Sequence, residues 1–237
     1  MVEEESHKEI SLRSLTELQG RQKYIFSSLS FIFVVILTIL FYLVPDYYFL
    51  EEATVNIVFH LLKIYQFDVV YDGYWIDNAQ GESIIIVKLT EILTFLDTHD
   101  AKAPVIKSEL FSRRFAVVRS CTAMQAGALL FALIIVTPAK PENKVKATFY
   151  VLIAVLVGNF LRIALIIGFN IIVMSNYGLD ASSAWLWGHD VLGKPIGFFG
   201  TMYFAFLIEK QDVPVLNTVS LWLDSILDIF SPKSVKK

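Results

Sequence analysis

The sequence predicts an all-α polytopic membrane protein. It has about four transmembrane helices, interfacial helices and one small extracytoplasmic β-hairpin element. Three observations lead there. The chain is 55% apolar with a mean hydropathy of +0.58, too apolar for an ordinary soluble domain. Its apolar residues come in blocks of membrane-spanning length. Its Lys and Arg residues cluster near the N-terminus, in the 139–146 loop and in the C-terminal tail, and four crossings put all three clusters on one side. That side is expected to be cytoplasmic.

Residues 1–23 are polar, carry five glutamates, and read as a cytoplasmic tail and not as a cleaved leader. The first span is expected at 24–44, closed by Pro45. The segment 45–118 then lies outside. Its first part, Thr54 to Phe67, is an apolar helix interrupted by His60 and Lys63. It is too short and too polar to span and suits an interfacial or re-entrant helix. Val69–Trp75 and Ser83–Leu89 are rich in β-branched and aromatic residues. The turn cluster 77–81 separates them, so a hairpin is expected. Thr90–Asp97 reads as a short helix and Ala101–Pro104 as a loop.

The second span is expected at 119–138, stopped by Thr137-Pro138, and the third at 147–175. The third run is long for one crossing, so it tilts, kinks or projects beyond the bilayer. Residues 176–188 read as a polar-aromatic loop whose Trp185 and Trp187 suit an interface, and the fourth span follows at 189–208. In 211–237, Leu216, Val219, Trp222, Leu223, Ile226, Ile229 and Phe230 recur at helical spacing opposite Asn217, Ser220, Asp224 and Asp228. This predicts an amphipathic helix on the membrane, followed by a basic tail. Residues 24–210 thus form the membrane domain.

Three residues stand out against this frame. Cys121 is the only cysteine, so no internal disulfide is available and the thiol is free. Arg162 lies within an apolar run, where a charge needs a reason. His189 opens the fourth span. The topology puts all three near the outer face: Cys121 just inside it, and Arg162 about 22 Å along the third span from the cytoplasmic side, in a core of roughly 30 Å. A thiol nucleophile, a cation for a developing oxyanion and an imidazole for proton transfer are the parts of thiol acyl-transfer chemistry. Asn159 lies one turn before Arg162, and Gln125 one turn after Cys121. Arg119 faces outward and suits a phosphate headgroup or simple interfacial anchoring.

Each residue has a plainer explanation. Cys121 suits a small core hydrophobe, His189 an interfacial polar group, and Arg162 an ion pair with Asp180 or Asp190. Gly193, Gly197 and Gly200 suit close helix packing. Metal-ligand spacing, phosphate-binding glycine loops and serine elbows are missing from the sequence, so no metal or other cofactor is expected. A net charge of -3 offers no basic field for nucleic acid. An anion transporter would need polar groups near midplane and often a repeat, and neither is visible. A non-enzymatic membrane scaffold or assembly subunit stays open as the alternative function.

The stretches FAVVRSCTAMQAG, GNFLRIALI and WGHDVLGKPIGFFG together resemble the exosortase/archaeosortase family. That family of membrane transpeptidases carries a Cys near the start of one span, an N-x-x-R in the next and a His opening the one after. Here these fall on Cys121, on Asn159 and Arg162, and on His189. The likeness covers roughly residues 55–208, and the short four-span chain looks more like an archaeosortase. Bacterial members typically read Cys-Ser-Gly where this chain has Cys121-Thr122-Ala123. The resemblance implies a cysteine protease/transpeptidase facing outward from the cytoplasmic membrane. Its substrates would be secreted proteins ending in a short motif, a hydrophobic span and a basic tail. The new C-terminus would pass to an acceptor, possibly a lipid.

Overall fold

The computed structural model describes residues 21–43, 48–76, 102–117 and 119–230. In chain order these form α1 (Arg21–Leu43), α2 (Tyr48–Ile64), β1 (Val69–Ile76), β2 (Lys102–Ser108) and β3 (Arg114–Ala116). A 3₁₀ turn (Arg119–Thr122), α3 (Met124–Val136) and α4 (Pro141–Tyr177) follow. The chain ends in α5 (Ala181–Trp185), a π-helical stretch (Leu186–Gly193), α6 (Lys194–Glu209) and α7 (Val215–Phe230). The expected strand 83–89 and helix 90–97 lie outside the described residues.

Among the described residues three helical stretches are long and apolar enough to cross a membrane: Arg21–Leu40, Pro141–Tyr177 and Ala181–Glu209. The predicted second span is shorter than its apolar run suggested. Only Met124–Val136 is α-helical, 13 residues or about 20 Å, against roughly 30 Å of hydrocarbon. The predicted 176–188 loop shrinks to three residues. Gly178, at φ +63°, ends α4 in the left-handed conformation that glycine adopts freely. Asp180 then caps α5 by accepting the Ser183 N–H, and hydrogen bonding from the Ser183 side chain, then from backbone N–H groups, lowers its carboxyl pKa. The last spanning helix therefore starts at Ala181, and His189 sits inside it and not at its opening.

The chain divides into two compact units. The first comprises Met1–Leu43, Gln125–Ala154 and Thr201–Lys237, and the second Val44–Met124 and Val155–Gly200. In the first unit α7 runs antiparallel to α1. Asp228 pairs with Lys23 at 2.9 Å, Ser225 meets Ser27 at 2.8 Å, and the Trp222 indole N–H donates to Ser30 Oγ at 2.8 Å. Phe31 packs edge-on against Trp222. The amphipathic helix is real, but part of its polar side is spent on α1, while Leu223, Ile226, Leu227 and Phe230 are exposed as a lipid-compatible face. The Lys23 ammonium holds the Asp228 carboxyl below its ordinary range. A depressed carboxylate contributes above its unfolded pKa, so this contact is kept at neutral pH and lost on acidification through the carboxylate range.

In the second unit a three-stranded antiparallel sheet, ordered β1-β2-β3, packs with α2 and the second half of α4. Val55, Val58 and Leu62 form the buried stripe of α2, and Ile163, Ala164, Ile167 and Ile171 that of α4. Val69, Ile106, Phe115 and Val117 complete this core. Among the described residues β1 pairs with β2, Val69 opposite Ser108, and the expected hairpin partner 83–89 lies outside them. A bulge between Tyr71 and Tyr74 contains Gly73 at φ +76°. Residues 101–104 looked like a loop because Pro104 lacks a donor. In the sheet Pro104 contributes its carbonyl, which accepts the Val117 N–H at 2.9 Å.

Candidate functional site

The second unit contains Cys121, Asn159, Arg162 and His189. After β3 the chain tightens into the 3₁₀ turn that carries Cys121, and Ala123 then takes φ +60°. That left-handed conformation costs about 1–2 kcal/mol for a residue with a Cβ and is free for glycine. It breaks the helix between Cys121 and α3, so Gln125 is not one turn above Cys121 on a shared face. Gln125 is exposed at the start of α3 and belongs to the other unit. Arg119 opens the 3₁₀ turn, and its side chain lies outside the described residues. A glycine is what this backbone asks for at 123. Ala123→Gly is therefore expected to stabilise the fold by up to about 1 kcal/mol after glycine's own entropy cost, read as a higher thermal unfolding midpoint in detergent. A lower midpoint would mean that the turn carries no such strain.

Helix α4 supplies the polar residues facing this turn. Asn159 is buried, 5% exposed, and its Nδ2 donates to the Cys121 carbonyl at 2.6 Å. This bond assigns the amide orientation and pins the cysteine turn to α4. Arg162 follows one turn later, and its charge interacts electrostatically with Cys121. The Cys121 side chain is half-buried against the edge of the apolar core. Among the described residues, Asn159 Oδ1 and Arg162 Nε are buried side-chain atoms without a hydrogen-bond partner. Such orphans are costly unless something else fills them.

Glycines on the last helix set its approach to α4. A Cβ on Gly188 would meet Asn170 Nδ2 at 2.2 Å, one on Gly193 would meet Ile166 Cδ1 at 2.5 Å, and one on Gly197 would meet Arg162 Nη1 at 2.6 Å. The helices are antiparallel, and only the missing side chains admit the contacts. Packing was the expectation for Gly193 and Gly197. Gly197 adds a role at the site, because its bare backbone makes the space the guanidinium occupies.

The same register locates His189. It lies next to Gly188, level with Asn170, eight residues from Gly197. That is roughly 12 Å of axial rise at α-helical pitch. Along the last spanning helix His189 thus stands about two turns from the level of Arg162. Its described contacts are local: Nδ1 lies 3.0 Å from Asp190 Oδ1, and the ring stacks on Trp185 with centroids 4.7 Å apart. Asp190 also pairs with Lys194 at 2.7 Å. The two acids considered as partners for Arg162 are therefore engaged elsewhere, Asp190 with His189 and Lys194, and Asp180 at its helix cap. The π winding around His189 carries its carbonyl to the Lys194 N–H, five residues on. π-bulges recur at functional sites.

Sequence reasoning missed Trp185 and Asp190 as the immediate partners of His189. Their spacing of four and one residues was a usable signal once the helix is known to start at 181. It also missed Asn170, fully buried with its Oδ1 unpaired. Among the described residues no group of three or more His, Cys, Asp or Glu is placed to hold a metal ion. No family model, curated protein or solved structure matches this chain.

Proposed function

We propose that this chain is a membrane-embedded cysteine transpeptidase of the exosortase/archaeosortase type. It would cleave C-terminal sorting signals of secreted proteins and pass the new C-terminus to an amine acceptor, possibly a lipid headgroup. The observation that carries the reading is the grip of Asn159 on the Cys121 carbonyl, with the Arg162 cation one turn away. The Cys121 turn is fixed to the helix that carries Arg162, and a positive charge near a thiol favours thiolate over thiol.

The chemistry follows. The Cys121 thiolate adds to the scissile carbonyl carbon, a C–S bond forms, and the carbonyl electron pair moves onto oxygen. Arg162 stays protonated under all working conditions, so it holds this oxyanion and moves no proton. Collapse breaks the C–N bond, and the leaving amine takes a proton, producing a thioester on Cys121. The acceptor amine then attacks the thioester, the thiolate leaves, and the amine's surplus proton departs. His189, oriented by Asp190, is the group to give and take these protons. Its distance from Gly197 requires relay through water or substrate. Arg162 accordingly stabilises the Cys121 thiolate by its charge, and the thiol proton passes to water.

Four crossings with both termini cytoplasmic put the site on the outer side. Reporter fusions at Asp100 and Lys144 should then report opposite faces, with Asp100 outside. Both on one face would remove the geometry this reading needs. The function itself is tested by intact-mass analysis of surface proteins that end in a span and a basic tail. Cells with this chain should yield forms lacking that tail, and cells with Cys121→Ala should not. The scaffold reading predicts instead that Cys121→Ser leaves the phenotype unchanged.

A further inference from the structure

We infer that the groove along the first half of α1 binds one anionic phospholipid, with an acyl chain lying in the groove and the phosphate held by Arg21. No residue of the groove belongs to the unit that contains Cys121, so the inference is independent of the proposed reaction.

The cavity has a volume of about 710 Å³, within the usual range of small-molecule sites. Ile25, Phe26, Leu29 and Phe33 recur at helical spacing along one face of α1, and Val136, the last residue of α3, completes the apolar wall. From Gln22 to Phe33 that face runs about 16 Å at helical rise, close to the depth of one leaflet in a core of roughly 30 Å. An extended acyl chain fits that length.

The lining does not suit water. Ser30 also borders the cavity, but its hydroxyl donates to the Phe26 carbonyl at 2.6 Å and accepts the Trp222 indole N–H at 2.8 Å. Gln22, at the end next to Arg21, is then the lining side chain with hydrogen-bonding capacity to offer. A cavity this apolar takes no water, and its walls gain by contact with apolar matter. The matter around α1 is lipid. Lys23, Ser27 and Ser30 turn to α7, while Ile25, Leu29 and Phe33 are exposed, the reverse of a helix pair built for water.

The polar end sets the direction of the lipid. Gln22 and Arg21 are both exposed there. Lys23 is engaged by Asp228, so the Arg21 guanidinium is the donor for a phosphate, a group it meets through two parallel N–H bonds. Its fixed charge favours a lipid of net negative charge over a zwitterionic one. This basic end is cytoplasmic in the proposed topology, so the lipid belongs to the inner leaflet.

The test uses the full-length protein in phosphatidylcholine vesicles with a minor share of phosphatidylglycerol. Either lipid is supplied with a photoactivatable diazirine in one acyl chain, and labelled peptides are mapped by mass spectrometry. Phosphatidylglycerol adducts should concentrate on residues 22–33 and Val136. They should exceed phosphatidylcholine adducts there by about fivefold, the usual worth of one cation at a lipid surface. Leu152, Leu161 and Phe198, exposed apolar residues elsewhere on the spanning helices, should take both labels without preference. Leu29→Trp, which fills the groove, should lose the concentrated adducts. Arg21→Gln should keep adducts in the groove and lose the preference for phosphatidylglycerol. If Leu29→Trp does not reach the membrane, wild type and Arg21→Gln decide, because Arg21 is exposed and its replacement disturbs no packing. Adducts spread evenly over the exposed apolar residues of all spanning helices would mean bulk lipid only and overturn the inference. Equal labelling by the two lipids in wild-type protein, or an unchanged preference in Arg21→Gln, would overturn it too.

Discussion

Cys121→Ala is expected to reach the membrane at wild-type levels and to leave C-terminal signals uncut. The thiol is half-buried at the edge of the core, so losing one sulfur atom costs about 1 kcal/mol of packing. The principal contact of the turn, from Asn159 to the Cys121 carbonyl, is to backbone and survives the substitution. Chemistry is lost without loss of fold. Cys121→Ser should be far weaker than wild type, because a hydroxyl needs a strong base at hand, and His189 is about two turns from the level of Arg162. Full processing by Cys121→Ala would end the nucleophile assignment.

The second large effect divides the work between Arg162 and His189. Arg162→Lys retains charge but loses the planar fork, and removal of one oxyanion donor typically costs ~10²–10³-fold in rate. Arg162→Gln should in addition slow alkylation of Cys121 by iodoacetamide at fixed neutral pH, since the thiolate loses its cation. Gly197→Ala should act in the same direction, because its Cβ would meet Arg162 Nη1 at 2.6 Å. His189→Ala should leave alkylation near the wild-type rate. It should slow turnover of ordinary peptide substrates by ~10²–10⁴-fold, the usual worth of a general acid–base group. An activated thioester or ester substrate, with a good leaving group, should be much less affected. Equal losses on both substrates, or slowed alkylation in His189→Ala, would assign His189 to forming the thiolate instead.

The longest patterns were the most legible. α1, α4 and α7 follow from apolar runs or helical periodicity, and Asn159 and Arg162 on one face follow from spacing alone. β1 was readable from its β-branched and aromatic residues. β2 was not, because Pro104 and flanking lysines look like loop, and its pairing with β1 spans a gap that local pattern does not bridge. The apolar run 119–136 hid the left-handed Ala123, which no periodicity reports. The start of the last helix was hidden by two tryptophans that suit an interface equally well outside a helix. The glycine contacts with α4 add what spacing alone does not give: they set His189 level with Asn170.

The claim that Cys121 carries the acyl group is tested most directly by trapping the intermediate. Membranes containing the Cys121 protein and a secreted substrate would be quenched in acid, digested, and searched by mass spectrometry for a peptide joined to the Cys121 peptide. The adduct should be a thioester linking Cys121 to the substrate's new C-terminal residue. It should be cleaved by neutral hydroxylamine, accumulate when acceptor is depleted, and be absent from Cys121→Ala. Processed substrate with no such adduct under acceptor depletion, or an acyl group on another residue, would contradict the account.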